Sequence, residues 1–294
     1  MAAMLTQFED LAADNTSGAT ELIQRILALC ESGAMGNTYN EIREGLNLLE
    51  DAHSSMPSLH TVIQILKSEF LPGLKNADDL EQSLRYIVSL QKILEESGAQ
   101  IAEKFLSVLE RPTRILTISR SSTVISALKK AHKANKLSHL YVLEARPAYE
   151  GWRTVRDCSA AGISSTLMVD AAMGEAVQTA EAVVIGADSV SSDGYLLNKT
   201  GTLPLAICAS EFGLPLYVLC DSLKFSPQTR RDVTIDEHPD SEVIEKEESD
   251  AFKVWNRYFE WVPINYVEAF ITERGVFPPE ELEALSTEET AADE

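Results

Sequence analysis

Residues 182–224 read AVVIGADSVSSDGYLLNKTGTLPLAICASEFGLPLYVLCDSLK. Ala182 to Gly186 is a short β-branched run that stops at Ala187-Asp188, and Pro215 to Cys220 is a second apolar run that stops at Asp221. Between them Ser191-Ser192-Asp193-Gly194 supplies turn chemistry, and Thr200-Gly201-Thr202-Leu203-Pro204 supplies a helix start with proline tolerated in the first turn. The helix is expected to run to Gly213, a suitable C-terminal cap. Strand, turn, helix and parallel strand require a right-handed crossover, which puts Asp188, Asn198, Lys199 and the helix start at the carboxyl edge of a sheet. Open α/β sheets bind their ligands at that edge.

Upstream, from Pro112, the same alternation continues. Strands are expected at Arg114 to Ile118, His139 to Leu143 and Ser165 to Val169, with helices from Val124 to Lys136, up to Gly162, and from Met173 to Ala180. Ser121 or Ser122 can cap the first of these helices. Each strand-to-helix loop lands on one edge, so Ser119 to Ser122, Arg146, Arg153, Asp170, Asp188, Asn198, Lys199 and Asp221 should converge. Downstream, a last helix is expected from Ile264 to Glu273, after the Trp261-Val262-Pro263 break.

Residues 19–110 have helical periodicity instead. Leu22, Ile23, Ile26, Leu27 and Leu29 make one apolar face; Leu59, Val62, Ile63, Leu66 and Phe70 make another. A longer run from Leu80 to Leu109 follows, with Asn76 or Asp78 as its cap and Arg111-Pro112 as its end. The expected fold is α/β: a helical N-terminal domain over 1–111, a Rossmann-like domain with a mostly parallel sheet over 112–280, and an acidic tail over 281–294.

The formal charge of -21 is concentrated in two places. Asp236 to Asp250 holds eight acids against one lysine, and Glu280 to Glu294 holds seven acids and no base. Such blocks are expected to be solvated, mobile loop and tail. With no basic stripe, direct nucleic-acid binding is disfavoured. Cys30, Cys158, Cys208 and Cys220 lie far apart, with no C-x-x-C and no histidine at ligand spacing, so neither disulfides nor a metal site is expected. No cofactor is expected either. The segment MAAMLTQFEDLAADN has acids where a signal peptide would have bases, and nowhere do 18 apolar residues run together. A cytoplasmic protein with no membrane partner is the expectation.

Lys199 beside a helix start with Gly201 at its mouth is either an anion site or a solvated lysine. Ser119-Arg120-Ser121-Ser122 offers a second helix start of the same kind. Arg146 and Arg153 suit bidentate phosphate contacts or, alternatively, ion pairs with Glu144 and Glu150. Asp188 can serve as a general acid or base, or merely cap the turn after it, and Asp170 and Asp221 share that ambiguity. No G-x-G-x-x-G, G-x-x-x-x-G-K-[ST] or G-x-S-x-G occurs, so dinucleotide, P-loop and esterase readings lose their main support.

Several short motifs come in a meaningful order: Ile115-Leu116-Thr117, Glu144-Ala145-Arg146-Pro147 with Glu150-Gly151, Val169-Asp170-Ala171-Ala172-Met173-Gly174, Gly186-Ala187-Asp188, Asn198-Lys199-Thr200-Gly201-Thr202 and Ser222-Leu223-Lys224-Phe225. Together they resemble the family that unites the alpha, beta and delta regulatory subunits of eukaryotic translation initiation factor 2B with the methylthioribose-1-phosphate and ribose-1,5-bisphosphate isomerases. The resemblance covers about 110–280. It implies a Rossmann-like domain, a homodimer formed through it, and a phosphosugar pocket between the two domains. The family's isomerases turn an aldose 1-phosphate into a ketose 1-phosphate with an aspartate and a cysteine. Their aspartate matches Asp188. The cysteine position holds Ser119, flanked by Ile118 and Arg120 where the motif has histidine and asparagine, and a serine hydroxyl is a far weaker acid than a thiol. The family's R-G-A-P type phosphate loop is not evident, Ser32-Gly33-Ala34 being the nearest remnant.

Two functions are consistent with this pattern. One is an isomerase-like enzyme on a phosphorylated pentose, with Asp188 as acid/base, Ser119 lining the pocket, and Arg120, Arg146, Arg153, Asn198, Lys199 and Gly201 around the substrate. The other is a non-catalytic regulatory-subunit-like protein that senses a phosphosugar or nucleotide and joins a larger assembly with related subunits.

Overall fold

The computed structural model describes residues 2–14, 19–34, 38–53, 56–75, 79–244 and 252–281. The cap expected at Asn76 or Asp78 and the tail beyond Glu281 lie outside these residues. Among the described residues the N-terminal region holds five α-helices, α1 (Ala2–Ala12), α2 (Ala19–Ala34), α3 (Tyr39–Ala52), α4 (Pro57–Ile65) and α5 (Leu80–Val108), with a π-helical turn over Leu66–Phe70 and a 3-10 turn over Pro72–Lys75 between the last two. Their apolar faces meet in one core, where Phe8, Leu22, Ile26, Ile42, Leu46, Val62, Phe70 and Leu90 lose essentially all contact with solvent. Burying each such side chain contributes about 1.5–3 kcal/mol, which outweighs the modest helical propensity of segments this short. Ser32-Gly33-Ala34 forms the last turn of α2, with Gly33 packed against Met4 and Ile42. The long helix α5 serves two cores: Ile87 and Leu90 face the helices, while Ile101, Ala102 and Phe105 pack under the sheet. It ends where Leu109 turns extended, three residues before Pro112.

From there strands and helices alternate: β1 (Thr113–Ile118), α6 (Ser122–Lys133), β2 (Leu137–Leu143), α7 (Glu150–Ser159), β3 (Ser165–Met168), α8 (Met173–Thr179), β4 (Ala182–Ile185), β5 (Ser189–Ser191), β6 (Tyr195–Lys199), α9 (Thr202–Glu211), β7 (Leu216–Leu219), β8 (Phe225–Ser226), β9 (Phe259–Pro263), β10 (Ala269–Ile271) and β11 (Val276–Phe277). The main sheet has the order β11-β10-β7-β4-β1-β2-β3 and is parallel throughout except between β10 and β11. Strand order reverses between β1 and β4, so the crevice at a topological switch point opens beyond Ile118 and Ile185. This is the α/β architecture expected from the sequence, with β4 and β7 paired in parallel as the opening stretch requires.

Three expectations need correction. The segment between β4 and α9 is not a simple turn: β5 and β6 form an antiparallel hairpin that joins β8 and β9 in a second, four-stranded sheet. The expected helix from Ile264 to Glu273 is a single turn over Ile264–Tyr266 followed by β10, whose Ala269, Phe270 and Ile271 are all buried beside β7. A short apolar run cannot be assigned to strand or helix by period alone. The acidic stretch from Asp236 is not a free loop over its described part. Asn256 Nδ2 donates to Pro239 O at 2.9 Å and to Glu242 Oε2 at 2.8 Å, and the His238 ring stacks on Tyr258 at 3.6 Å between centroids. Residues 245–250 of that stretch lie outside the described residues.

Candidate functional site

Four loops at the carboxyl edge bring their side chains together. After β1 the backbone turns at Ser119 with φ of 66°, a left-handed conformation uncommon for a non-glycine residue, and Ser121 then caps α6 by accepting from Val124 N at 3.3 Å. After β2, Ala145 and Tyr149 are also left-handed, with φ of 59° and 52°. This loop is held by Asp170, whose two carboxylate oxygens accept from the amides of Ala145 at 2.9 Å and Arg146 at 2.8 Å. Asp170 is thereby a structural residue. The start of α7 lies so close to β2 that a Cβ on Gly151 would fall 2.0 Å from Leu143 O. That close approach places Glu150, one residue earlier, at the mouth of the crevice.

After β4, Asp188 N donates to Leu197 O at 3.0 Å, fixing the aspartate beside β6. After β6, Asn198 Nδ2 donates to Thr202 Oγ1 at 3.0 Å and that hydroxyl donates to Lys199 O at 2.6 Å, which closes the turn into α9. Thr200 binds the backbone of Arg257 and Tyr258, drawing the Tyr258 ring next to Lys199.

At the centre, Ser119 Oγ donates to Glu150 Oε2 at 2.5 Å, and Lys199 Nζ lies 3.2 Å from the same oxygen. The Lys199 side chain keeps only 3 % of its surface and stands 4.2 Å from the Tyr258 ring centroid. Its contact with Glu150 is a charge contact without hydrogen-bond geometry, so the ammonium is buried with no hydrogen-bond acceptor. Asp188 retains a partly accessible surface in a recess deep enough that burial pushes its carboxyl up to about 6. Lys224 and Lys199 oppose that rise, and the negative charge of Glu150 reinforces it. Burial also pushes the Tyr258 hydroxyl up to about 12, helped by its hydrogen bond to Glu242 and by the charges of Glu242 and Glu150. Lys224 Nζ reaches Ser58 Oγ at 3.4 Å, so α4 of the helical region borders this edge.

Of the residues expected to converge, Asp188, Ser119 and Lys199 do so, and Asn198 supports them from behind. Gly201 has another partner. Its amide and that of Leu203 donate to Glu260 Oε1 at 2.7 and 2.9 Å, so the anion at the start of α9 is the chain's own carboxylate from β9. The expectation that Gly201 N–H receives a ligand is corrected accordingly: a helix end attracts negative charge, and here the fold supplies it. Arg120 pairs with Asp157 on the surface, at 3.1 Å. Arg146 donates to the carbonyls of Val243 at 3.1 Å and Glu242 at 3.4 Å, which ties the acidic segment over the edge. Arg153 lies exposed on α7, three residues beyond Glu150. Asp221 caps its own turn, accepting from Leu223 N at 3.1 Å. Glu150, Lys224 and Tyr258 are the site residues that sequence reasoning did not single out. For Glu150 and Lys224 the signal was their place in the ordered motifs; Tyr258 carries no local signal. Among the described residues, no three carboxylate, imidazole or thiol groups are placed to share a metal ion. A cationic groove of about 570 Å³ lined by Lys129, Lys130 and Lys133 lies between α5 and the far end of α6, away from this edge.

The profile of the initiation factor 2 subunit family matches residues 2–279. The chain is 30 % identical to the ribose 1,5-bisphosphate isomerase of Methanocaldococcus jannaschii over 248 residues, 82 % of this chain and 78 % of that one. It is 36 % identical to the ribose 1,5-bisphosphate isomerase of Archaeoglobus fulgidus over 177 residues, which is 59 % of this chain and just over half, 56 %, of that relative's length. Among solved structures, a translation initiation factor eIF-2B of Pyrococcus horikoshii superposes with a TM-score of 0.78 at 26 % identity, covering 95 % of this chain and 98 % of that one.

Proposed function

The chain belongs to the initiation factor 2 subunit family, and from that premise we propose that it is a sugar-phosphate isomerase of the aldose 1-phosphate to ketose 1-phosphate type. The observation that carries this reading is a recessed carboxyl raised to about 6 after β4 together with a buried ammonium at the end of β6 that has the charge of Glu150 beside it but no hydrogen-bond acceptor. Structural carboxylates at strand ends, such as Asp170 and Asp221, are satisfied by backbone amides. Asp188 has no such duty, and perturbed groups of this kind mark sites of chemistry.

In this reading Lys199 binds a phosphate as a point charge, helped by Lys224, and Arg153 is free to close on it from α7. Asp188 donates to the ring oxygen as the C1–O4 bond opens. At pH 7 a carboxyl with a pKa near 6 is protonated in about one molecule in ten, enough to act as a general acid near neutrality. A non-catalytic sensor is favoured instead by one feature, the serine at the position where the family's isomerases carry their cysteine.

The test is ¹H and ¹³C NMR of ribose 1,5-bisphosphate and methylthioribose 1-phosphate with the unsubstituted chain, Asp188→Asn and Ser119→Cys. The isomerase reading expects one of the two sugars to be converted, with conversion lost in Asp188→Asn. Tight binding without conversion, and activity gained only in Ser119→Cys, would leave the sensor. We also propose a homodimer, for which the exposed Trp255 offers apolar surface, whereas Val262 and Tyr258 are used within the chain. Sedimentation at micromolar concentration showing only a 32.4 kDa species would remove the dimer.

A further inference from the structure

Isomerisation moves a proton between two neighbouring carbons, so one acid is not enough: a second group must take the proton from C2 and return it at C1. Ser119 cannot do this alone, because a hydroxyl is far too weak an acid for its alkoxide to form near neutrality. Its Oγ–H, however, points at a carboxylate, Glu150 Oε2, at 2.5 Å. Lys199 sits on the same oxygen at 3.2 Å. Both contacts therefore hold the same oxygen of the carboxylate, and the Glu150 side chain keeps 29 % of its surface exposed.

We propose that Glu150 is the second proton-transfer group of this site and Ser119 its positioning residue, an assignment that rests on the isomerase reading above. The placement of Glu150 is built in: left-handed Tyr149 ahead of it and the contact-tight Gly151 behind it fix the first turn of α7 against β2. Beyond burial, the negative charge of Glu150 also acts on Asp188 and raises its carboxyl, which favours Asp188 as the group that brings a proton.

The step balances. Asp188 gives its proton to the ring oxygen as the C1–O4 bond breaks. Glu150 takes the C2 proton, and the C–H electron pair becomes the C1=C2 bond of an enol phosphate. The C2 hydroxyl then returns a proton to Asp188, its O–H pair closes the C2 carbonyl, and the C1=C2 pair takes the proton from Glu150 at C1. No oxidant, metal or outside proton source is consumed.

The experiment follows loss of deuterium from C2 of [2-²H]ribose 1,5-bisphosphate by ²H NMR, with binding measured separately by calorimetry. Glu150→Gln is expected to slow that loss by about 10²–10⁴-fold, the usual contribution of a general base. Its affinity for the sugar phosphate should be unchanged or higher, because a negative charge beside Lys199 is gone. Glu150→Asp, which keeps the charge and the pairing partner but withdraws the carboxylate by one methylene, should fold normally and lose far more in rate than in affinity. Ser119→Ala should cost less than either. Deuterium loss at the unsubstituted rate in Glu150→Gln, with Asp188→Asn inactive, would overturn the role of Glu150 and leave the isomerase reading standing. Binding without any deuterium loss in the unsubstituted chain would overturn both.

Discussion

The helical region over residues 2–108 and the carboxyl edge of the sheet are built to different standards. In the helical region no described non-glycine residue is left-handed, and buried polar groups are matched, as where His53 Nε2 meets Leu11 O at 3.0 Å; His60 Nε2 is the exception among the described residues. At the edge, Ser119, Ala145 and Tyr149 hold left-handed conformations, and Lys199 Nζ, Ser189 Oγ and Ser222 Oγ are buried without a hydrogen-bond partner. Left-handed non-glycine residues cost on the order of 1–3 kcal/mol each, and they persist only where their surroundings hold them. The contrast teaches that the helices supply stability, which the edge gives up in order to hold reactive groups in place.

The largest expected effect tests the first half of that contrast. Phe70→Ala empties the centre of the helical core and should cost about 3–5 kcal/mol in urea unfolding. A loss under 1 kcal/mol would mean that the helices are not the stabilising part.

At the edge the sign should reverse. The folded-state value of Asp188, about 6, lies above its ordinary 3.8, so the folded chain holds a proton that the unfolded chain has released. Stability from this group is complete below pH 4 and is lost as pH rises through 6, a difference of up to about 3 kcal/mol. Asp188→Asn should therefore stabilise the protein by up to that amount at pH 7 and change little at pH 4. Destabilisation at pH 7 would show that the ionised carboxylate is needed for folding.

Lys199→Ala should weaken sugar-phosphate binding by about 1.5–3 kcal/mol, the value of a charged hydrogen bond, as read by calorimetry. Unchanged affinity would return Lys199 to a structural role. The smallest effect is expected at Glu260, where the carboxylate serves the helix end and not a ligand. Glu260→Gln should lower stability by about 1–2 kcal/mol and leave sugar-phosphate affinity alone.

Much of this was legible in the sequence because it depends on local rules. Strands β1, β2, β4 and β7 announce themselves as short, largely apolar runs that stop at Ser119, Glu144, Asp188 and Asp221, and a parallel sheet then carries those stops to one edge. What was hidden depends on distant partners. Ser189–Ser191 and Tyr195–Lys199 pair with each other locally, but the sheet that holds them is completed by β8, beside Ser189–Ser191, and by β9, some sixty residues beyond Tyr195–Lys199. The same strand brings Glu260 to the start of α9, so Lys199-Thr200-Gly201-Thr202 reads as an open anion site until its internal anion is seen. Glu150 looked like a partner for a nearby arginine; its position is set instead by Tyr149 and Gly151, whose constraint is conformational and leaves no mark in charge or periodicity. Arg146 failed the expectation for a related reason, since the carbonyls of Glu242 and Val243 that engage it lie almost a hundred residues away.

Acid and anion site share one edge, and a ¹³C NMR titration of the Asp188 carboxyl, assigned by its loss in Asp188→Asn, examines both at once. The midpoint is expected near pH 6 in the free protein, with Lys224, Lys199 and Glu150 as the charges acting on it. Saturation with ribose 1,5-bisphosphate should move it higher, because a phosphate at Lys199 cancels the ammonium that now holds it down. A midpoint near 4, or one that ignores the bound phosphate, would contradict the account.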